Sequence, residues 1–223
     1  MRRLPEQAFD PITSGRAQRA FEIRREPETL RDRQGRHPLG QNLRPARRLI
    51  EAGVRMVCVN AWLGYPPGDR FVFTQGWDMR GTVNQGSIFG RDQYGLRFAL
   101  PRFDQAVSAL LENLDQRGLL ETTPAVVVGE FGRTPKIVHN PFRGRDHWPS
   151  CYTALLAGGG IRGGYVHGSS DAVGTYPAGS PVTPEDFGAT LFHALGVPIE
   201  TRFGVDGFIG PVSTGRPVLE LFR

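Results

Sequence analysis

Apolar positions recur along this chain at helical spacing in three places. Leu43, Ala46, Leu49 and Ile50 share one face, with Arg44, Arg47 and Arg48 mostly off it, and Gly53 ends the run. Leu100, Phe103, Val107, Leu110, Leu111 and Leu114 form a longer stripe over residues 100–117. There Pro101 suits a first helical turn and Gly118 a stop. A further helix opens at Thr183-Pro184-Glu185-Asp186, which supplies an N-cap hydroxyl, a proline at the first position and two acids in the first turn. Its face is Phe187, Thr190, Leu191, Ala194 and Leu195, and Gly196 closes it. A weaker pattern over residues 17–26, carried by Ala17, Ala20, Phe21 and Ile23, predicts a short helix. Between these lie residues 54–60, 125–128 and 152–157, apolar enough to read as strands, the first of them central in a sheet. A helix is followed by a strand twice. The expected fold is therefore α/β, a mostly parallel sheet flanked by helices.

Residues 1–35 read as a polar, arginine-rich leader punctuated by Pro5, Pro11, Pro27 and Gly35, and residues 36–223 as a single domain. The stretch 61–95 carries Trp62, Tyr65, Phe71, Phe73, Trp77, Phe89 and Tyr94, more aromatic surface than a structureless linker would hold. A folded loop or cap is expected there. With 29 glycines and 18 prolines, much of the chain is expected to be loop.

The net charge of +5 is carried by arginine, since Lys136 is the only lysine. Residues 1–60 hold 13 arginines against 7 acidic residues, which reads as a solvated leader and helix face. No zinc finger or aromatic RNA-binding signature accompanies them, so nucleic acid is not an expected partner. Cys58 and Cys151 sit in apolar surroundings without a CxxC pairing, which predicts two buried free thiols and no cysteine-built metal site. The opening MRRLPEQAFDP lacks an apolar signal core, and no apolar run reaches the length of a membrane span. A cytoplasmic location follows for the chain as encoded, and the pattern sets no oligomeric state.

The chemistry concentrates after the apolar run 125–128. Gly129 turns the chain, and Glu130, Arg133, Lys136, Asp146 and His147 follow within eighteen residues. A buried strand ending in glycine and charge is how an open α/β sheet delivers side chains to a crevice. These residues either bind a metal or an anion, or tie a long loop to the domain. Glu130, Asp146 and His147, with Asp78 from the other long loop, form the carboxylate and imidazole set that suits a divalent metal. Arg133 is suited to bidentate bonds with phosphate or sulfate, and Lys136 adds a point charge. Equally, Glu130 and Arg133 read as a structural ion pair, Asp146 as a turn cap, and His147 as packed beside Trp148 and Pro149. His193 reads as a packed or half-exposed helix histidine. Residues 158–163 match GxGxxG, but Gly164-Tyr165-Val166-His167-Gly168 follows with strand composition, so a hairpin is expected rather than a dinucleotide site. No GxSxG, HExxH or phosphate-loop motif is present.

Several longer blocks carry a resemblance. They are Gly129-Glu130-Phe131-Gly132-Arg133-Thr134-Pro135, Gly144-Arg145-Asp146-His147-Trp148-Pro149, and Leu156-Ala157-Gly158-Gly159-Gly160-Ile161-Arg162-Gly163-Gly164. Val182-Thr183-Pro184-Glu185-Asp186, His193-Ala194-Leu195-Gly196, the block from Ala46 to Arg55, and Trp77-Asp78 join them. Over about residues 35–223 the chain resembles the DUF1501 proteins, a bacterial family abundant in planctomycetes and related to the alkaline phosphatase and sulfatase superfamily. The resemblance implies an alkaline-phosphatase-like fold truncated at the N-terminus, with metal at the strand ends. It implies Glu130, His147 and Asp78 as metal-binding, Asp146 as ligand or support, and zinc, manganese or calcium as the cofactor. Arg133 and Lys136 would hold the ester oxyanion.

Two departures accompany the resemblance. The family's middle motif looks like Trp-Asp-Thr-His-Gly, whereas here it is Trp77-Asp78-Met79-Arg80-Gly81, and a guanidinium cannot ligate a metal. Family members also usually begin upstream, with an export signal and the strand that bears the nucleophile. No catalytic nucleophile is therefore expected within this chain, and an upstream start would make the protein periplasmic. The implied function is a relative of metal-dependent phosphate- or sulfate-ester hydrolases, impaired or inactive as encoded, with a small-molecule or glycan ester as ligand. The alternative is a non-catalytic binding or remnant protein that engages a partner or glycan through the 61–95 loop.

Overall fold

A computed structural model describes residues 15–65, 77–81, 87–89, 95–139, 142–205 and 208–223. The chain divides into two compact units, residues 1–116 with 137–145, and residues 117–136 with 146–223. The stretch from residue 125 to residue 150, continuous in sequence, is thus shared between two bodies.

The first unit is helical. α1 (Gly15–Ala20), a single 3-10 turn (Ile23–Arg25) and α2 (Glu28–Gln34) lead into α3 (Pro38–Glu51), and α4 (Leu96–Gln116) follows. His37 caps α3 by accepting the Gly40 N–H on Nδ1 at 3.5 Å, and Pro38 occupies the first turn. Gly40 lies so close to the end of α2 that a Cβ there would stand 2.3 Å from the Gln34 carbonyl oxygen. Leu39, Leu43, Leu63, Met79, Ile88, Phe98, Ala99 and Ala106 form the core, with Ala99 and Ala106 fully buried. α4 begins earlier than its sequence pattern predicts. Pro101 lies inside it rather than in its first turn, and Leu100 is exposed, so the packed face is rotated toward Phe98, Ala99 and Ala106.

The arginines of α3 are not a solvated face. Arg44 is fully buried and donates to the carbonyls of Arg31 at 2.6 Å and Gly35 at 2.9 Å, and to Gln41 Oε1 at 3.0 Å. Arg47 and Glu26 form a buried ion pair, which Arg48 joins from Nη1 at 2.6 Å. Arg48 also donates to the carbonyls of Ala20 and Arg19, the last turn of α1. The face that the apolar stripe leaves open is thus covered by α1 and α2 instead of water.

The second unit is built from hairpins and one helix. β1 (Ala125–Val127), β2 (Gly132–Arg133), β3 (His147–Trp148), β4 (Leu155–Ala157), β5 (Ser169–Ser170) and β6 (Pro177–Gly179) precede α5 (Pro184–Ala194), and β7 (Arg202–Val205) and β8 (Phe208–Pro211) follow. They pair as β1 with β4, β2 with β3, β5 with β6 and β7 with β8, every pair antiparallel. α5 has the N-cap its sequence promised, and the structure extends it to a capping box. Thr183 Oγ1 accepts the Asp186 N–H at 3.1 Å, and Asp186 Oδ2 accepts the Thr183 N–H at 3.4 Å.

The mostly parallel sheet is therefore corrected. Among the described residues the chain is a small α/β fold of five α-helices and short two-stranded antiparallel sheets. Two of the expected strands exist, as β1 and β4, but they pair with each other in opposite directions. Residues 54–60 form no ladder among the described residues; Val59 and Ala61 spend their apolar surface on the helical core. Cys58 is exposed and Cys151 half-buried, so the thiols are not a buried pair. The glycines of the GxGxxG match turn the chain, with Gly158, Gly159 and Gly160 all at positive φ, and Ile161 then bridges to Phe222. No helix starts there, and the hairpin lies further on, between β5 and β6.

Candidate anion site on the β2–β3 hairpin

Five of the candidate residues, Glu130, Arg133, Lys136, Asp146 and His147, belong to the second unit and gather around one short hairpin. Gly132 pairs with Trp148, and Arg133 with His147. Glycine is required at 132, because a Cβ there would lie 2.1 Å from the Cys151 carbonyl oxygen. Beyond the strands the hairpin is held by Thr134. Its N–H donates to the Asp146 carbonyl at 2.9 Å, and its Oγ1 accepts the Asp146 N–H at 3.0 Å. The same hydroxyl donates to the Lys136 carbonyl at 3.0 Å. On the other side Trp148 donates from Nε1 to the Thr175 carbonyl at 2.6 Å and stacks obliquely on Tyr176. Asp171 fixes that loop by accepting backbone N–H bonds from Val173, Thr175 and Tyr176. The Thr175 bond is the main cause that holds its carboxyl below the usual aspartate range.

The side chains meet over Phe131. The His147 ring lies 4.1 Å from the Phe131 ring centroid, and the Arg133 guanidinium carbon lies 5.7 Å from the same centroid. Phe131 lies in the bend just before β2, close to Arg133, and the cross-strand partner of Arg133 completes the group. Phe131 was not among the residues singled out by chemistry. Its place between Glu130 and Arg133 in the block from Gly129 to Pro135 was the available signal. Glu130, Lys136, Asp146 and His147 are exposed and Arg133 is half-buried. Asp146 Oδ1 accepts the N–H of His147 at 2.9 Å, the turn-capping role that its sequence position allowed.

Asp78 lies in the first unit and is already engaged. Arg80 Nε donates to its Oδ1 at 2.9 Å and its Oδ2 at 3.1 Å, and Nη2 reaches Oδ2 at 2.5 Å. The arginine that replaces the motif's histidine therefore closes on the neighbouring carboxylate. Trp77 anchors this turn through Nε1 to the Ala61 carbonyl at 2.6 Å and an edge contact with Phe103. Among the described residues no three His, Cys, Asp or Glu side chains come together as a metal site. His193 is exposed and meets the Phe222 ring edge-on at 4.8 Å. Of the aromatic loop, Trp62 and Tyr65 form an edge pair, while Phe71, Phe73 and Tyr94 lie outside the described residues. No helix among the described residues is long and apolar enough to cross a membrane.

A small α/β protein with a basic, aromatic-backed hairpin is the class that fold and site define. The family model described as "Protein of unknown function (DUF1501)" matches residues 1–222, so the chain belongs to the DUF1501 family. The match includes the leader, which the motif resemblance had left out. No curated protein and no solved structure matches the chain.

Proposed function

We propose that this chain binds the charged group of a phosphate or sulfate ester on the β2–β3 hairpin, as a catalytically impaired relative of the metal-dependent ester hydrolases. The observation that carries the reading is the Arg133–His147 cross-strand pair against Phe131. A guanidinium offers a planar fork to two ester oxygens, and an imidazole beside it adds an N–H donor. The Phe131 ring beside both gives them a backing and offers an apolar surface for the ester's organic part. Impairment is supported by Asp78, whose two oxygens are occupied by Arg80. Asp146 Oδ1 likewise accepts the His147 N–H, which supports the same reading.

Phenyl phosphate and phenyl sulfate, titrated into the full chain and followed by NMR at the Arg133 and His147 side chains, test the binding. Saturable shifts are expected, weakened about tenfold or more in Arg133→Gln, the scale of one charge-assisted pair. Absence of saturable shifts with both esters overturns the reading. Release of nitrophenol from its phosphate and sulfate esters, with zinc, manganese or calcium added, is expected to stay at background. Turnover that disappears in Glu130→Ala and His147→Ala would instead establish an active metal enzyme.

A further inference from the structure

We propose that the first unit carries a separate site for a small organic acid or phosphate, in a cavity of about 460 Å³ lined by Arg36, His37, Pro101, Arg102 and Gln105. The cavity lies where the turn before α3 meets α4, and three of its five lining side chains are basic. Their charges are unevenly met. Arg36 is committed, through Nε to Asp32 at 2.6 Å and through Nη2 to Glu28. Arg102 meets no carboxylate among the described residues. Its guanidinium lies 3.9 Å from the Phe98 ring centroid, and Nη1 donates to the Phe98 carbonyl at 3.2 Å. A half-buried cation with an aromatic face beneath it and no counter-charge is a group that gains by receiving an oxyanion.

His37 adds a second unmet donor. Its Nδ1 accepts the Gly40 N–H, so in the neutral ring the proton sits on Nε2, which is buried and has no hydrogen-bond partner. Burial, with Arg102 and Arg44 as positive neighbours, holds this histidine neutral to lower pH than usual. Native proteins seldom leave such a donor unpaired, so the ring beside the cavity has a hydrogen bond still to gain. Gln105, whose Nε2 donates to the Asp32 carbonyl at 3.1 Å, completes the polar lining, and Pro101 supplies an apolar wall. The site is open to solvent and its volume lies within the range of small-molecule sites. A molecule bearing one carboxylate or phosphate would meet its charge.

The test uses the full-length chain, isotopically labelled, with inorganic phosphate and acetate as separate probes. The Arg102 Nε–H and His37 ring resonances are expected to shift and saturate with at least one of them; the better anion identifies the group recognised. Arg102→Gln is expected to raise the apparent Kd about tenfold or more. Arg133→Gln is expected to leave the midpoint unchanged, which separates this site from the hairpin. Absence of saturation with both anions overturns the proposal, as does an unchanged midpoint in folded Arg102→Gln. Should that variant not fold, the wild-type titration at His37 decides by itself: a saturating shift supports the site and a flat response removes it.

Discussion

The two units hold their charges in opposite ways. In the first, Arg44, Arg47 and Glu26 are buried, Arg44 on the carbonyls of Arg31 and Gly35 and Arg47 on Glu26. In the second, Glu130, Lys136, Asp146 and His147 stand in solvent around a hairpin that backbone bonds and two aromatic anchors hold together. The buried set has no solvent to fall back on, so its worth is read in stability. The exposed set is cheap to change, so its worth is read in what it binds.

The largest expected effect is therefore on folding. Glu26→Ala takes one of two carboxylates from buried Arg47, which keeps Glu51 Oε2 at 2.6 Å, so the cost falls toward the low end of the about 3–5 kcal/mol of a broken buried pair. Urea unfolding should show that loss in the midpoint. A change under about 1 kcal/mol, the range of an exposed pair, would erase the contrast between the units.

Acid is the next lever. Burial by itself raises the Glu26 carboxyl, but the bonds from Arg48 and Arg47 outweigh it and hold the group below its ordinary value of 4.5. The ionised form therefore contributes stability above pH 4.5, and that contribution fades as pH falls from there through the lower folded value. Unfolding free energy measured at stepwise pH should drop over that window. Glu26→Gln should flatten that part of the slope; an unchanged slope would place the acid sensitivity elsewhere.

The smallest effect sharpens the other side. His147→Ala removes an exposed ring and should shift stability by no more than about 0.5 kcal/mol while weakening ester binding. A thermal melt beside the phenyl phosphate titration separates the two readouts. A large stability loss would turn the hairpin's imidazole into a structural residue.

The sequence was legible where structure is local. Thr183-Pro184-Glu185-Asp186 announced both the start and the cap of α5, because a capping box is complete within four residues. The stripe Leu43, Ala46, Leu49 and Ile50 located α3, yet the same pattern assigned Arg44 and Arg47 to solvent. What buries them is the packing of α1 and α2, an association between segments that no helical period encodes. Likewise, β1 and β4 were readable as strands from their valines and leucines, but an apolar run carries no sign of its partner's direction. At the site, spacing brought forward Arg133 and His147, while the ring that backs both came from the fold. The partner of Asp78 was not legible from spacing alone. Arg80 replaces the motif's histidine in the sequence, and the fold turns its guanidinium onto both Asp78 oxygens.

Lys136, exposed at the end of the hairpin segment, is the last residue before the chain leaves the second unit for the first. Because it is also the sole lysine, an endoprotease that cuts after lysine has one place to act. That single scission severs one of the covalent crossings between the units and falls within no helix or strand among the described residues. The same amine offers one side-chain position for a dye, beside the residues that would receive the ester.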